Sequence, residues 1–260
     1  MKFMDLDKVN GNNTIILDSL NLAFRYKYNK TKSFAERYLE TVKSFAKSYN
    51  ADKVFILCDG GSYYRKEIYP DYKANRTKLI EEQTEQEKEE WDAFIKEYDR
   101  SLILMKEYYP VFRFKGVEAD DIAAYIVRGY SKKLNNIWLI SSDRDWDLLL
   151  SDTVSRFSFV TRKEITANTW NDFYPYDMEN HIDIKVLQGD KGDNIPGVAG
   201  VGEKRAYALL KEYGSAYDIY DALPLEGTQK FIQNLNNFGD KLLLNYQLMD
   251  LVSYCGGFIK

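Results

Sequence analysis

Thr14-Ile15-Ile16-Leu17-Asp18 is a short apolar run that stops at a carboxylate, and four more stretches place acids at the close of such a run. They are Val54-Phe55-Ile56-Leu57-Cys58-Asp59, Gly116-Val117-Glu118-Ala119-Asp120-Asp121, Ile137-Trp138-Leu139-Ile140-Ser141-Ser142-Asp143-Arg144-Asp145 and Gly189-Asp190-Lys191-Gly192-Asp193-Asn194. Apolar runs of this kind read as buried strands of a parallel sheet. In open α/β sheets the ligand crevice lies beyond the carboxyl ends of the strands. Nine carboxylates are therefore expected in one crevice: Asp18, Asp59, Glu118, Asp120, Asp121, Asp143, Asp145, Asp190 and Asp193.

Like charges at close range raise one another's pKa and do not stay ionised together unless cations sit among them. The donors on offer are hard oxygens. The lone His181 and the two distant cysteines, Cys58 and Cys255, do not make a structural zinc spacing, so the set points to Mg²⁺ or Mn²⁺, two or more ions per site. Two such ions a few ångströms apart perform phosphoryl-transfer hydrolysis.

A chain of 260 residues with 45% hydrophobic content buries a substantial core, as one large α/β domain or as a domain with a small appendage. Met1 to Asn13 is polar and carries Asp5 and Asp7, no run approaches membrane-spanning length, and both cysteines read as free thiols. These features predict a monomeric cytoplasmic protein. The net charge of −4 is unusual for a nucleic-acid binder. Location matters more: setting the nine crevice acids aside from 40 leaves 31 against 36 Lys and Arg, which allows local basic surfaces.

The remaining order alternates strand and helix signals, as in a mostly parallel wound sheet. Arg25-Tyr26-Lys27-Tyr28-Asn29-Lys30-Thr31-Lys32 interleaves cations with aromatics and reads either as a solvated loop or as a nucleic-acid backbone contact through Arg25 and Lys27. From Thr77 to Tyr109 there is no strand pattern. An acidic part is followed by Trp91, Phe94, Ile95, Tyr98, Leu102, Met105 and Tyr109 at helical spacing, ended by Pro110. This pair of helices forms either a lid over the crevice or a solvated layer on the sheet. Acids in a first helical turn commonly only cap it, but Glu118, Asp120 and Asp121 beside four other clusters exceed what capping needs. Asp147 reads as a solvated helix residue, with a further metal ligand as the alternative.

Two further elements suit a phosphate backbone. Ile195-Pro196-Gly197-Val198-Ala199-Gly200-Val201-Gly202-Glu203-Lys204-Arg205 places Gly200 and Gly202 in a hairpin where backbone N–H groups approach a phosphate, followed by a helix start with Lys204 and Arg205. A structural turn is the plainer alternative. In Arg65-Lys66-Glu67-Ile68-Tyr69-Pro70-Asp71-Tyr72-Lys73-Ala74-Asn75-Arg76, Lys73 and Arg76 lie three apart on one helical face and Tyr72 is a candidate for base stacking; a basic loop is the alternative.

The ordered set Ile-Leu-Asp18, Cys-Asp59, Tyr72-Lys-Ala-Asn-Arg76, Gly-Val-Glu-Ala-Asp-Asp121, Ser-Ser-Asp-Arg-Asp145, Gly-Asp-Lys-Gly-Asp-Asn194 and the Gly-Val-Gly hairpin resembles the flap endonuclease / 5′-3′ exonuclease family, in its phage form, over about residues 14–250. The family also holds the 5′-nuclease domain of bacterial DNA polymerase I. The resemblance implies a PIN-like nuclease domain over 1–187 with a helical arch at about 72–110, through which single-stranded 5′ DNA passes. It also implies a helix-hairpin-helix region over 188–260 that grips duplex DNA with a K⁺ ion. Asp18, Asp59, Glu118, Asp120 and Asp121 would hold one metal, Asp143, Asp145, Asp190 and Asp193 another, and Lys73 and Arg76 would steady the scissile phosphate. Arg144 between two ligands and the early end at Cys255-Gly256-Gly257-Phe258-Ile259-Lys260 depart from the expected pattern.

The expected function is a metal-dependent, structure-specific 5′-nuclease for replication and repair, acting on 5′ flaps, 5′ ends or RNA primers, in the host cytoplasm if phage-encoded. A PIN-class ribonuclease has no reason for the hairpin. A catalytically silent junction binder needs no full carboxylate set. A haloacid-dehalogenase-type phosphatase wants a second Asp two residues after Asp18, and position 20 is Leu.

Overall fold

The apolar runs become strands where β-branched and aromatic residues dominate. The computed structural model describes residues 13–251; Cys255 and the terminal segment singled out above lie outside them. In chain order the elements are β1 (Thr14–Asp18), α1 (Ser19–Tyr28), α2 (Ala35–Ser48), β2 (Lys53–Cys58), α3 (Tyr63–Ile68), α4 (Ala74–Glu81), α5 (Glu85–Lys106), β3 (Val111–Arg113), α6 (Ala119–Tyr130), β4 (Ile137–Ile140), β5 (Val154–Ser158) and β6 (Lys163–Ile165), then α7 (His181–Gln188), α8 (Glu203–Tyr213), α9 (Ala216–Asp221), α10 (Lys230–Asn236) and α11 (Gly239–Met249). Contacts divide the chain into two units. The sheet unit runs up to Tyr63 and resumes over Gln83–Thr169; the helical unit takes Tyr64–Glu82 and Trp170–Asp250.

All six strands belong to one sheet of the first unit, in the order β3-β2-β1-β4-β5-β6. The pairs from β3 to β5 are parallel and β6 is antiparallel to β5. This is the wound, mostly parallel α/β architecture expected from the sequence. The chain builds outward from β1 through β2 to β3, then returns to the other side of β1 as β4. That reversal between β1 and β4 is a topological switch point, where open sheets place their ligand crevice. Register brings the strand ends level, with Asp18 opposite Leu57 on β2 and Leu17 opposite Ile140 on β4.

Two elements differ from the sequence reading. The Asp190 and Asp193 loop follows helix α7, not a strand, and its only ladder contact is an isolated Asp190–Ile195 bridge. Arg25 and Lys27 lie in the last turn of helix α1 instead of a loop. Tyr26 beside them faces the core, stacked on Phe34 with centroids 4.8 Å apart.

α5 begins with a reciprocal capping box between Thr84 and Glu87. Its expected stripe packs inward, with Phe94, Tyr98, Leu102 and Met105 buried in the core that also holds Leu22, Tyr38 and Ile56. The Tyr98 hydroxyl meets Ser19 Oγ at 2.5 Å, and Ser19 Oγ donates to the Leu57 carbonyl at 2.6 Å, which ties α5 to the ends of β1 and β2. The lower part of the expected lid is thus core. Residues 82–84 separate α4, which buries no residue, from α5, whose outer face stays exposed along its length.

Candidate active site

Local geometry explains why the strand-end acids stay together. In the sheet unit, Asp18 caps α1 by accepting from the Asn21 N–H at 3.2 Å, and its other oxygen accepts from Ser141 Oγ at 2.9 Å. Asp59 accepts from the Ala119 N–H at 2.9 Å, which pins the start of α6 beside the end of β2. Asp120 accepts from the buried Trp146 indole at 2.6 Å. Asp143 accepts from the Asp145 N–H at 3.0 Å, and its own N–H donates to Ser141 Oγ at 3.1 Å. Ser141 therefore links the carboxylate after β1 to the turn after β4.

The electrostatics are those of crowded acids. Burial, then the charges of Asp59 and Asp143, push the Asp18 carboxyl well above the ordinary range despite the Ser141 and Asn21 hydrogen bonds. Asp120 is raised by desolvation first and then by Asp143, Asp59, Asp18 and Glu118. Mutual action of this kind places Asp18, Asp59, Glu118, Asp120 and Asp143 in one field. Glu118 and Asp121 also cap α6 reciprocally, so the capping role and the cluster coexist. Among the described residues no trio of acids stands pre-set as a metal cage. Mg²⁺ does not require one, because it keeps several waters and takes only one or two carboxylates directly. The all-oxygen donor set fits a hard divalent ion.

Asp147 is a correction. It is 1% exposed and forms a two-point ion pair with the equally buried Arg156, at 2.5 and 2.8 Å. The third arm of Arg156 donates to the Ser141 carbonyl at 3.0 Å. Neither a solvated residue nor a ligand, Asp147 orients the guanidinium that holds Ser141, and Ser141 holds Asp18. Nothing in the sequence marks Arg156 as the partner, since only the β4–β5 pairing brings the two together.

The helical unit treats its acids differently. Asp190 Oδ1 accepts from the N–H groups of Gly192 and Asp193 at 2.7 and 3.1 Å, and Lys185 Nζ lies 3.4 Å from Oδ2. Burial alone would raise this carboxyl, but Lys185 and the two backbone donors outweigh it and hold it below the usual value. Asp193 is met by Arg76 at 2.8 Å, by Lys73 at 3.6 Å and by the Tyr72 hydroxyl at 2.8 Å. Lys73 adopts φ +57° as its own N–H reaches the Asp193 carbonyl at 2.9 Å. Lys73, the N-cap of α4, and Arg76 within it converge on one carboxylate, that of Asp193. The base stacking expected of Tyr72 does not hold: its ring is 3% exposed and its hydroxyl is committed to Asp193. Arg65, placed in a basic loop by the sequence, is also buried and donates to the Leu248 carbonyl at 2.7 Å.

In the hairpin, Gly197 is required by packing, since a Cβ there would lie 1.9 Å from the Gln188 carbonyl oxygen. Gly200 is exposed with φ +85°, and Gly202 is the N-cap of α8. Lys204 and Arg205 are both exposed. Arg205 donates to the Gly200 carbonyl at 2.5 Å and lies 5.0 Å from the Phe231 ring, so part of its role is to hold the turn. Lys27 lies 4.3 Å from the Trp91 ring, while Arg25 borders a polar cavity of about 360 Å³ with Arg162 and Glu164.

A wound parallel sheet that gathers carboxylates at its switch point, in a chain that also carries a glycine-hairpin helical unit, defines an acid-rich α/β class. Comparison narrows it. Residues 13–174 match the 5′-3′ exonuclease N-terminal resolvase-like domain, and residues 176–256 match the 5′-3′ exonuclease C-terminal SAM fold. The flap endonuclease of Escherichia phage T5 is 45% identical over 249 residues, covering 94% of this chain and 84% of that protein. The 5′-3′ exonuclease of Buchnera aphidicola is 26% identical, covering 81% of this chain and 72% of its own length. A crystal structure of the phage T5 flap endonuclease in a pseudo-enzyme-product complex with DNA and metal ions superposes with a TM-score of 0.90 at 45% identity, covering 94% and 90% of the two chains. The chain belongs to the 5′-3′ exonuclease family. Among the described residues, no helix is long and apolar enough to cross a membrane.

Proposed function

We propose that this chain is a divalent-metal-dependent, structure-specific 5′-nuclease that hydrolyses phosphodiesters in branched or 5′-ended DNA, 5′ flaps above all. The observation that carries the reading is the mutual field of Asp18, Asp59, Glu118, Asp120 and Asp143 at the β1–β4 switch point, with Asp18 and Asp120 held above the ordinary carboxylate range by burial and by one another. Such a site has its greatest affinity for small, hard cations. The related phage enzyme solved with DNA and metal ions supports the same assignment.

Mg²⁺ or Mn²⁺ is the ion, two or more per site, supplying activation of water and neutralisation of the departing oxygen. Asp18, Asp59, Glu118, Asp120, Asp121, Asp143 and Asp145 are the sheet unit's ligands and orienting acids; Asp190 and Asp193 are those of the helical unit. Lys73 and Arg76 supply the cations for the reacting phosphate, where charge grows during the reaction. Gly200, Gly202, Lys204 and Arg205 take duplex phosphates, with K⁺ at the hairpin, and Arg25 and Lys27 add backbone contacts. The nuclease domain spans 1–187 with an arch at about 72–110, and the DNA-gripping region spans 188–260. The arch passes a single-stranded 5′ end.

The deciding assay is Mg²⁺-dependent cleavage of a labelled 5′-flap substrate beside single-stranded, nicked and 3′-flap controls. Preference for the 5′ flap, loss of cleavage in EDTA and slower cutting of flaps blocked at the 5′ end are expected. Equal cutting of the 3′-flap control would overturn the structure-specific reading.

A further inference from the structure

Tyr63 is the first residue of α3 and is 59% exposed, in contrast to the buried Tyr72 that the sequence offers for base stacking. One face of its ring rests on Gly116. A Cβ built at Gly116 would lie 2.4 Å from Tyr63 Cδ2 and 2.6 Å from Cγ, so any larger residue would displace the ring. The backbone beneath is laced together. The Tyr63 N–H donates to the Gly116 carbonyl at 3.0 Å, the Gly116 N–H to the Gly60 carbonyl at 2.8 Å, and the Gly60 N–H to the Val117 carbonyl at 2.8 Å.

This lacing lies between Asp59, just after β2, and Glu118, the N-cap of α6. Asp59 immediately precedes Gly60, Glu118 immediately follows Val117, and the Asp59 carboxylate accepts from the N–H of Ala119. Lys115 Nζ lies 6.0 Å from the Tyr63 ring centroid. A large, mostly exposed ring held from below on a glycine, close in the chain to Asp59, has the form of a stacking surface. Base–aromatic stacking tolerates any sequence because every base has a π-face.

We propose that the outward face of Tyr63 stacks on a nucleobase adjoining the reacting phosphate, with Lys115 as the cation for a flanking phosphate of the same strand. Tyr63 is then a substrate-positioning residue. The assignment rests on the nuclease reading above. It also explains why position 116 carries glycine at φ +78°.

The experiment places 2-aminopurine in turn at the nucleotides on either side of the cleavage site of a flap substrate and measures binding by the full chain in Ca²⁺. Wild type should change the fluorescence at one of these positions. Tyr63→Phe should retain that change and Tyr63→Ala should lose it, with affinity weakened on the order of 10-fold, as expected for one lost stack. Thermal melts of both variants should match wild type, because the ring is exposed. On a substrate lacking the base at that position, wild type and Tyr63→Ala should bind alike. A wild type that neither binds nor cuts the flap overturns both readings. If wild type cuts while Tyr63→Ala keeps the fluorescence change, or loses as much affinity on the base-free substrate, only the stacking proposal falls.

Discussion

Asp120 in the sheet unit and Asp190 in the helical unit are the same residue type in opposite surroundings. Asp120 is raised by desolvation and by Asp143, Asp59, Asp18 and Glu118, whereas Asp190 is lowered because Lys185 and two backbone N–H groups outweigh its burial. Asp193 is likewise met by cations, with Arg76 and Lys73 within 4 Å. The sheet unit gathers acids that raise one another. The helical unit brings its own cations to its acids. The two units thus hold their carboxylates by opposite means.

The sharpest way to break this contrast is to neutralise one acid on each side. Asp120→Asn should remove at least ~10²-fold of Mg²⁺-dependent cleavage, as loss of one anionic ligand does, and should raise the melting temperature measured in EDTA by relieving like-charge crowding. Asp190→Asn should lower that melting temperature, since Lys185 is left without its carboxylate. If both substitutions move the metal-free melting temperature in the same direction, the two regions do not differ as described.

One acid of the sheet unit behaves like those of the helical unit and sharpens the rule. Asp147 is buried and paired at two points with Arg156, so its removal leaves an uncompensated buried guanidinium. Asp147→Ala should destabilise by about 3–5 kcal/mol in denaturant unfolding, the cost seen when one partner of a buried pair is deleted. A change under about 1 kcal/mol would mean that Arg156 finds another acceptor and that the Ser141 turn does not depend on the pair.

The strands β1, β2 and β4 were legible because each is a short apolar run with an acid where it stops. So was the inward stripe of α5, whose spacing of three and four residues survives as buried Phe94, Tyr98, Leu102 and Met105. What the sequence does not show is which polar side chains meet across the fold. Trp146 on Asp120, Ser141 on Asp18 and Arg156 on Asp147 are contacts made by strand pairing and helix placement, with separations from 9 to 123 residues. Tyr72 and Arg65 fail for a related reason: a basic-aromatic stretch reads as surface, yet α11 supplies Leu248 and Met249, which share their cluster with Tyr72, while the Leu248 carbonyl takes Arg65. The run before Asp190 misleads because short apolar runs do not separate strand from buried helix.

The helical unit holds an exception of its own. Asp183 is 6% exposed and its carboxyl is pushed up to about 6, by burial first and then by Asp218 and Asp250, against the Ala216 N–H that lowers it. Because the folded value lies above the unfolded one near 3.8, its contribution to stability is complete below pH ~4 and is lost as pH rises through about 6. Stability should fall by at most about 3 kcal/mol between pH 4 and pH 7 from this group. Asp183→Asn should flatten that part of the profile in urea titrations at several pH values. A variant profile as steep as wild type would assign the slope to other groups.

The smallest expected effect concerns Lys204, an exposed cation of the helical unit outside the acid loop. Lys204 is exposed in the first turn of α8, after the Gly202 N-cap, where the backbone N–H groups and the helix dipole favour an anion. Lys73 and Arg76 meet Asp193, whereas Lys204 is placed to take a duplex phosphate, a contact that carries no sequence information. Lys204→Ala should weaken duplex binding alike for unrelated sequences and lower the magnitude of the log-affinity against log-salt slope by about 1, the share of one phosphate contact. The measurement is a salt titration of flap binding in Ca²⁺ for wild type and variant. An unchanged slope would leave Gly200 and Gly202 as a turn that shapes the loop without holding DNA, and would confine the unit's cations to the acid loop.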